Sequence, residues 1–164
     1  MIKERIRATY HRLPYKALPV KVTKILVMES ASELNCFPNK HGISKYYSPR
    51  QILHKKSLDY DHDCKYYFGQ CVQAHEETTN TQAGRTKEAL YMRPIEGGHQ
   101  VYSLATDEVT RCTKVTPLPV PPSVIEAVNG VAAKQKQKGL RITAKNGTVQ
   151  YPGFPVYASC VTHP

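Results

Sequence analysis

The sequence predicts an α+β chain, with helices first, a run of short antiparallel strands next, and a last helix before a tail. Three observations carry this. Apolar residues recur at helical spacing before residue 57 and again after residue 122. From Lys65 onward the period falls to two. Polar or glycine-bearing turns then divide that second stretch into four short strands, a pattern that suits a small antiparallel barrel or curled sheet.

The elements follow in order. Ile2, Ile6 and Tyr10 form one stripe of a helix over residues 1–12, and Leu13-Pro14 and Leu18-Pro19 end it. A second helix is expected from about Pro19 to Asn35, with Pro19 in its first turn and Val22, Ile25 and Leu26 on its apolar side. Ser48-Pro49-Arg50-Gln51 has the form of a capping box, and a short helix should run to about His54.

The strands come next. The first is expected over 65–75. The second, over 85–93, should show Ala89 and Tyr91 on one face and Leu90 and Met92 on the other. The third covers 100–105 and the fourth about 109–115. Thr116 to Pro122 should leave the ladder and run extended, because its prolines lack a donor. Ser123 with Glu126 reads as a second capping box. The helix it opens ends in Lys134, Lys136 and Lys138, with Gly139 as the stop.

Composition bounds the function. The chain has 164 residues, 40% hydrophobic, with 12 prolines against 9 glycines and no tryptophan, so a modest core with long irregular stretches is expected. The net charge of +10 favours polyanionic partners. Five cysteines at irregular spacing, without a Cys-x-x-Cys pair, read as reduced thiols of an intracellular protein, nuclear or cytoplasmic. No apolar run approaches the ~18 residues of a membrane span, and no secretory leader is seen, so no membrane partner is expected.

Candidate chemistry is sparse. Asp59-Tyr60-Asp61-His62-Asp63 begins like a calcium loop, but Cys64 stands where the loop needs glycine and Gln70 where it needs glutamate, so a solvated loop is expected. His62, Cys64, Cys71 and His75 are zinc-ligand types, yet on a strand Cys71 and His75 would lie roughly 13 Å apart. No motif frames a serine or cysteine nucleophile. No metal, catalytic residue or cofactor is therefore expected. The basic residues point further. Arg85, Lys87, Arg93, Arg111 and Lys114 fall on the strands near Tyr91 and Tyr102, and Lys134, Lys136 and Lys138 end the last helix. Lysine and arginine bind phosphate, and exposed rings can stack on bases. The competing expectation is a solvated face over core tyrosines.

Several short motifs, in order, resemble the copia-type LTR-retrotransposon Pol polyprotein in the form common in diatoms and similar protists. They are Leu34-Asn35-Cys36-Phe37-Pro38-Asn39-Lys40-His41-Gly42, Ser48-Pro49-Arg50-Gln51-Ile52, Leu58-Asp59-Tyr60, His62-Asp63-Cys64, Phe68-Gly69 and Val72-Gln73-Ala74-His75. Arg85-Thr86, Gly97-Gly98, Tyr102-Ser103-Leu104, Val115-Thr116-Pro117-Leu118-Pro119 and Val124-Ile125-Glu126-Ala127-Val128-Asn129 keep the register. The match spans about residues 1–147.

The resemblance implies the part of the integrase that follows its catalytic core. Integrases of this kind hold two metals on two aspartates and a glutamate. Those carboxylates lie upstream of the matched part, and Glu4 falls after the family's glutamate. A chain that starts at Met1 is thus expected to be a truncated, non-enzymatic fragment. The resemblance also implies helices left from an RNase H-like core (1–57) and a small SH3-like β-barrel domain that contacts DNA (58–116); the residue pattern adds a proline-rich linker (117–122), a basic amphipathic helix (123–138) and a flexible tail (139–164). Two departures stand out. Met28-Glu29-Ser30-Ala31-Ser32-Glu33 is polar where the family has a bulky apolar helix, and around the last strand Asp107-Glu108 enters the family's small-residue turn while Cys112 replaces one residue of its basic pair, leaving Arg111. The expected activity is weak, nonspecific binding of DNA or RNA. The alternative is a protein-interaction module that docks other Pol-derived proteins through the proline segment and the last helix.

Overall fold

The computed structural model describes residues 2–75 and 85–139, and the backbone of 142–143 and 149–150. The architecture is α+β: an open five-stranded antiparallel sheet with helices at both ends of the chain. Helix α1 is Ile2–Arg12 and α2 is Val20–Leu34. Helix α3 is Pro49–His54 and α4 is Tyr60–Asp63. The strands are β1 (Cys71–His75), β2 (Thr86–Ile95), β3 (Gly98–Ser103), β4 (Glu108–Cys112) and β5 (Lys114–Pro117). Helix α5 is Pro122–Lys134, and a minimal ladder pairs β6 (Ile142–Thr143) with β7 (Val149–Gln150). The rest of the expected tail lies outside the described residues.

The sheet order is β4-β3-β2-β1-β5. One residue, Thr113, separates β4 from β5, although they form opposite edges. Two peptide steps span at most roughly 7 Å, so the sheet must coil until its edges meet at that corner. The edges do not pair with each other, and the sheet stays open.

Coiling gives the sheet two apolar faces. Ala89, Leu90, Tyr91 and Met92 of β2 are each at most 1% exposed. The alternation expected from the sequence holds: Leu90 and Met92 join a large core beneath the helices, while Ala89 and Tyr91 join a smaller core on the concave side with Val72, Val101 and Val115. The Tyr66 hydroxyl donates to the Val115 carbonyl at 3.1 Å and covers that concave core.

The larger core draws on every part of the chain. Tyr10 of α1, Val22 and Leu26 of α2, Cys71, Leu90, Met92 and Tyr102 of the sheet, and Val124 and Val128 of α5 are buried together. Polar contacts fix the same docking. The Asn129 side-chain oxygen accepts from the backbone N–H groups of Lys16 (2.9 Å) and Ala17 (3.3 Å), and Gln135 Oε1 accepts from the Val20 N–H at 2.8 Å. Asp107, in left-handed backbone at φ 53, takes hydrogen bonds from the Tyr102 hydroxyl (2.5 Å) and Gln135 Nε2 (3.1 Å), and its carbonyl accepts from Lys21 Nζ. Asp107, one of the departures from the family pattern, thus ties the β3–β4 turn to α2 and α5.

Several expectations are corrected. The first strand begins at Cys71 rather than Lys65, because Gly69 (φ 76) turns the chain beneath Leu13 before the ladder starts. The stretch 109–115 is two strands broken at Thr113, not one. Pro117 belongs to β5 and pairs with Val72; an edge strand tolerates its missing donor. Asp59–Asp63 is not a plain loop: Asp59 caps the short helix α4, accepting from the N–H groups of Asp61 and His62. The Ser48 capping box forms as expected. The Ser123–Glu126 box does not, because Pro121 is the N-cap and Pro122, with φ preset, opens the helix. Helix α5 ends at Lys134 with Gln135 as C-cap, so Lys136 and Lys138 lie beyond it and Gly139 caps nothing.

Candidate functional site

The expected phosphate-binding residues fall into three groups. Arg85, Lys87 and Lys114 are exposed at one end of the sheet. His75 of β1 pairs with Thr86 on one side and Lys114 on the other, which sets Thr86, next to Arg85, and Lys114 two strands apart, roughly 10 Å. Lys134, Lys136 and Lys138 form a second exposed group at the C-terminal end of α5, where the helix dipole favours cations.

Arg93 and Arg111 are differently used. They flank Gln100 on neighbouring strands. Arg93 Nε donates to Gln100 Oε1 at 2.8 Å, and Arg111 Nη2 donates to the carbonyls of Glu96 (2.9 Å) and Gly97 (3.3 Å). Arg111 therefore clasps the β2–β3 turn. The rings near these residues cannot stack on bases: Tyr91 is 1% exposed and Tyr102 fully buried. Both tyrosines belong to the core, and the expected stacking on them does not hold.

The zinc-type residues separate. Cys71 is fully buried in the larger core, Cys64 is exposed, His62 contacts Asp63 at 3.0 Å, and His75 contacts the Thr116 hydroxyl at 3.0 Å. Among the described residues no three His, Cys, Asp or Glu side chains come together as a metal site. Burial and the neighbouring Asp63 push the Cys64 thiol up, the reverse of what an activated nucleophile needs. In α5, the last helix named above for partner docking, Val124, Val128 and Ala132 are buried within the molecule. No described helix is long and apolar enough to cross a membrane.

One concave feature is not foreshadowed by any motif. A cleft of about 600 Å³ opens where α1, α2, the 58–68 segment and the end of β2 meet. Two ion pairs stand in its walls, Arg5–Glu33 at 3.2 Å and Arg50–Asp63 at 2.9 Å. Burial pushes Asp63 up, but hydrogen bonds from His62, the Asp59 N–H and Arg50 together hold it below the usual carboxylate range. Glu29, from the polar stretch of α2, also lines the cleft. Burial, then Glu33, raise its carboxyl to about 7, against the pull of Arg93 and Arg50.

That shift has a sign. The folded chain holds the Glu29 proton more tightly than the unfolded chain does. The resulting stabilisation is full below the ordinary value of 4.5 and is lost as pH rises through about 7. Glu29→Gln should therefore flatten the decline in thermal stability between pH 5 and 8. At pH 8 the variant should exceed the parent by about 1–2 kcal/mol, allowing for partial solvent screening. Melting curves of both proteins at several pH values check this, and parallel declines would refute it.

Comparison of the chain with protein-family models, curated proteins and solved structures yields no match.

Proposed function

We propose that this chain is the post-catalytic part of a copia-type integrase, has no enzymatic activity of its own, and binds DNA or RNA weakly and without sequence preference. Two exposed basic groups would make the contacts: Arg85, Lys87 and Lys114 at the sheet end, and Lys134, Lys136 and Lys138 after α5. The observation that carries the proposal is their exposure on a chain of net charge +10, since lysines and arginines at the surface release counterions when they meet phosphate. Arg93 and Arg111 drop to a supporting role because both already hold the sheet. The strand order, with a one-residue step between edge strands, supports the SH3-like reading of 58–116. The helices before it are read as the end of an RNase H-like core, which is where the motif order places them.

The test is a titration of fluorescent duplex DNA at low salt with the parent and two triple variants, Arg85→Gln/Lys87→Gln/Lys114→Gln and Lys134→Gln/Lys136→Gln/Lys138→Gln. Each triple should weaken binding by about tenfold or more, since each lysine or arginine removed takes away about one phosphate contact. Parent-like affinity in both variants, or no binding by the parent, would refute the proposal.

A further inference from the structure

The cleft has the features of a small-molecule site independent of the basic surface. Its volume of about 600 Å³ falls within the range of ligand pockets. Its wall charges divide into two classes. Arg5 and Arg50 are neutralised by Glu33 and Asp63. Arg12 and Arg93 also line it, and among the described residues neither has a carboxylate within ion-pair distance. Both are positioned: the Arg12 guanidinium lies 5.0 Å from the Tyr67 ring centroid, and Arg93 is held by Gln100. Apolar surface for a ring comes from Phe37 and Tyr67, both half-exposed.

From this we infer that the cleft binds a small planar anion, a flat ring bearing one acidic group, with the acid on Arg12 and Arg93 and the ring against Phe37 and Tyr67. Two sources share this chemistry, a free aromatic acid and a single nucleotide. Guanidinium groups suit both, since they match carboxylate and phosphate oxygens two at a time. The inference stands whether or not the basic surface binds nucleic acid.

Glu29 gives the site a signature. An anion seated beside it must raise its affinity for a proton, and by reciprocity proton uptake must tighten the anion. The groups around Glu29 are Glu33 on α2, Arg50 on α3, Asp63 on α4, and Arg93 and Tyr91 on β2. Arg5 of α1 is held by Glu33, His62 by Asp63, and His99 sits 5.7 Å from the Tyr91 ring. The Glu29 variant is the control that assigns the pH dependence to Glu29.

The experiment is isothermal titration calorimetry of the full chain with naphthalene-1-sulfonate, whose charge does not change between pH 6 and 8, and with adenosine 5′-monophosphate. Benzamidine serves as the cationic counterpart. The sulfonate should bind about tenfold more tightly at pH 6 than at pH 8, and Glu29→Gln should bind with the tighter affinity at both. Arg12→Gln, at an exposed position that does not endanger folding, and Arg93→Gln should each lose about tenfold. Stronger binding of the nucleotide would identify a nucleotide site, and stronger binding of the sulfonate a free-acid site; either supports the inference. No binding of either anion at pH 6, indifference to both arginine variants, or preference for benzamidine would overturn it.

Discussion

Val128→Asp should abolish cooperative folding. Val128 is fully buried in the core that α5 shares with α1, α2 and the sheet. An unpaired carboxylate there either stays ionised at a cost of several kcal/mol or takes up a proton and still lacks a hydrogen-bond partner. Domains of this size have only about 5–15 kcal/mol of total stability, so the melting temperature should drop by well over 10 °C or the transition should disappear. Ala127→Asp, one position away and exposed, should leave the transition within about 2 °C of the parent. Thermal unfolding followed by circular dichroism decides the matter. Similar melting of both variants would mean that α5 is not part of the common core.

Gly98→Ala should destabilise the sheet, and Gly130→Ala should do the opposite. A Cβ on Gly98 would stand 2.5 Å from the backbone oxygen of Cys112. That atom belongs to the β4 ladder and cannot swing aside as a side chain would. The cost should be about 2 kcal/mol, or roughly 4–8 °C in melting temperature. Gly130 lies inside α5 with open space around it, so alanine there should add about 0.5–1 kcal/mol through helix propensity alone. A urea or thermal titration showing the same sign for both would contradict the packing described.

Features that depend on neighbours in sequence were legible, and features that depend on partners across the fold were not. The Ser48 box needs only residues 48–51, and it forms. The two faces of β2 follow from strand geometry, and they hold. The break at Thr113 could not be read, because 109–115 holds no glycine or proline and only the need to carry the chain from one sheet edge to the other splits it. Burial of Tyr91 and Tyr102 was hidden for a related reason: a coiled sheet with helices outside leaves neither face wet. Arg93 and Arg111 looked free until the register set them on either side of Gln100. The cleft was least visible of all, since its charged walls come from α1, α2, α3, α4 and β2. The polar Met28–Glu33 stretch, read as a departure from the family, finds its place there: Glu29 and Glu33 line the cleft, and Ser30 is buried beneath α2.

The central claim is that the basic surface is what this chain offers to nucleic acid. The most direct measurement is the affinity of the purified protein for fluorescent duplex DNA across a salt series. If the six exposed lysines and arginines each displace a counterion, the logarithm of the association constant should fall linearly with the logarithm of salt, with a slope of roughly −5. Absence of binding at the lowest salt, or affinity that does not change with salt, would contradict the account.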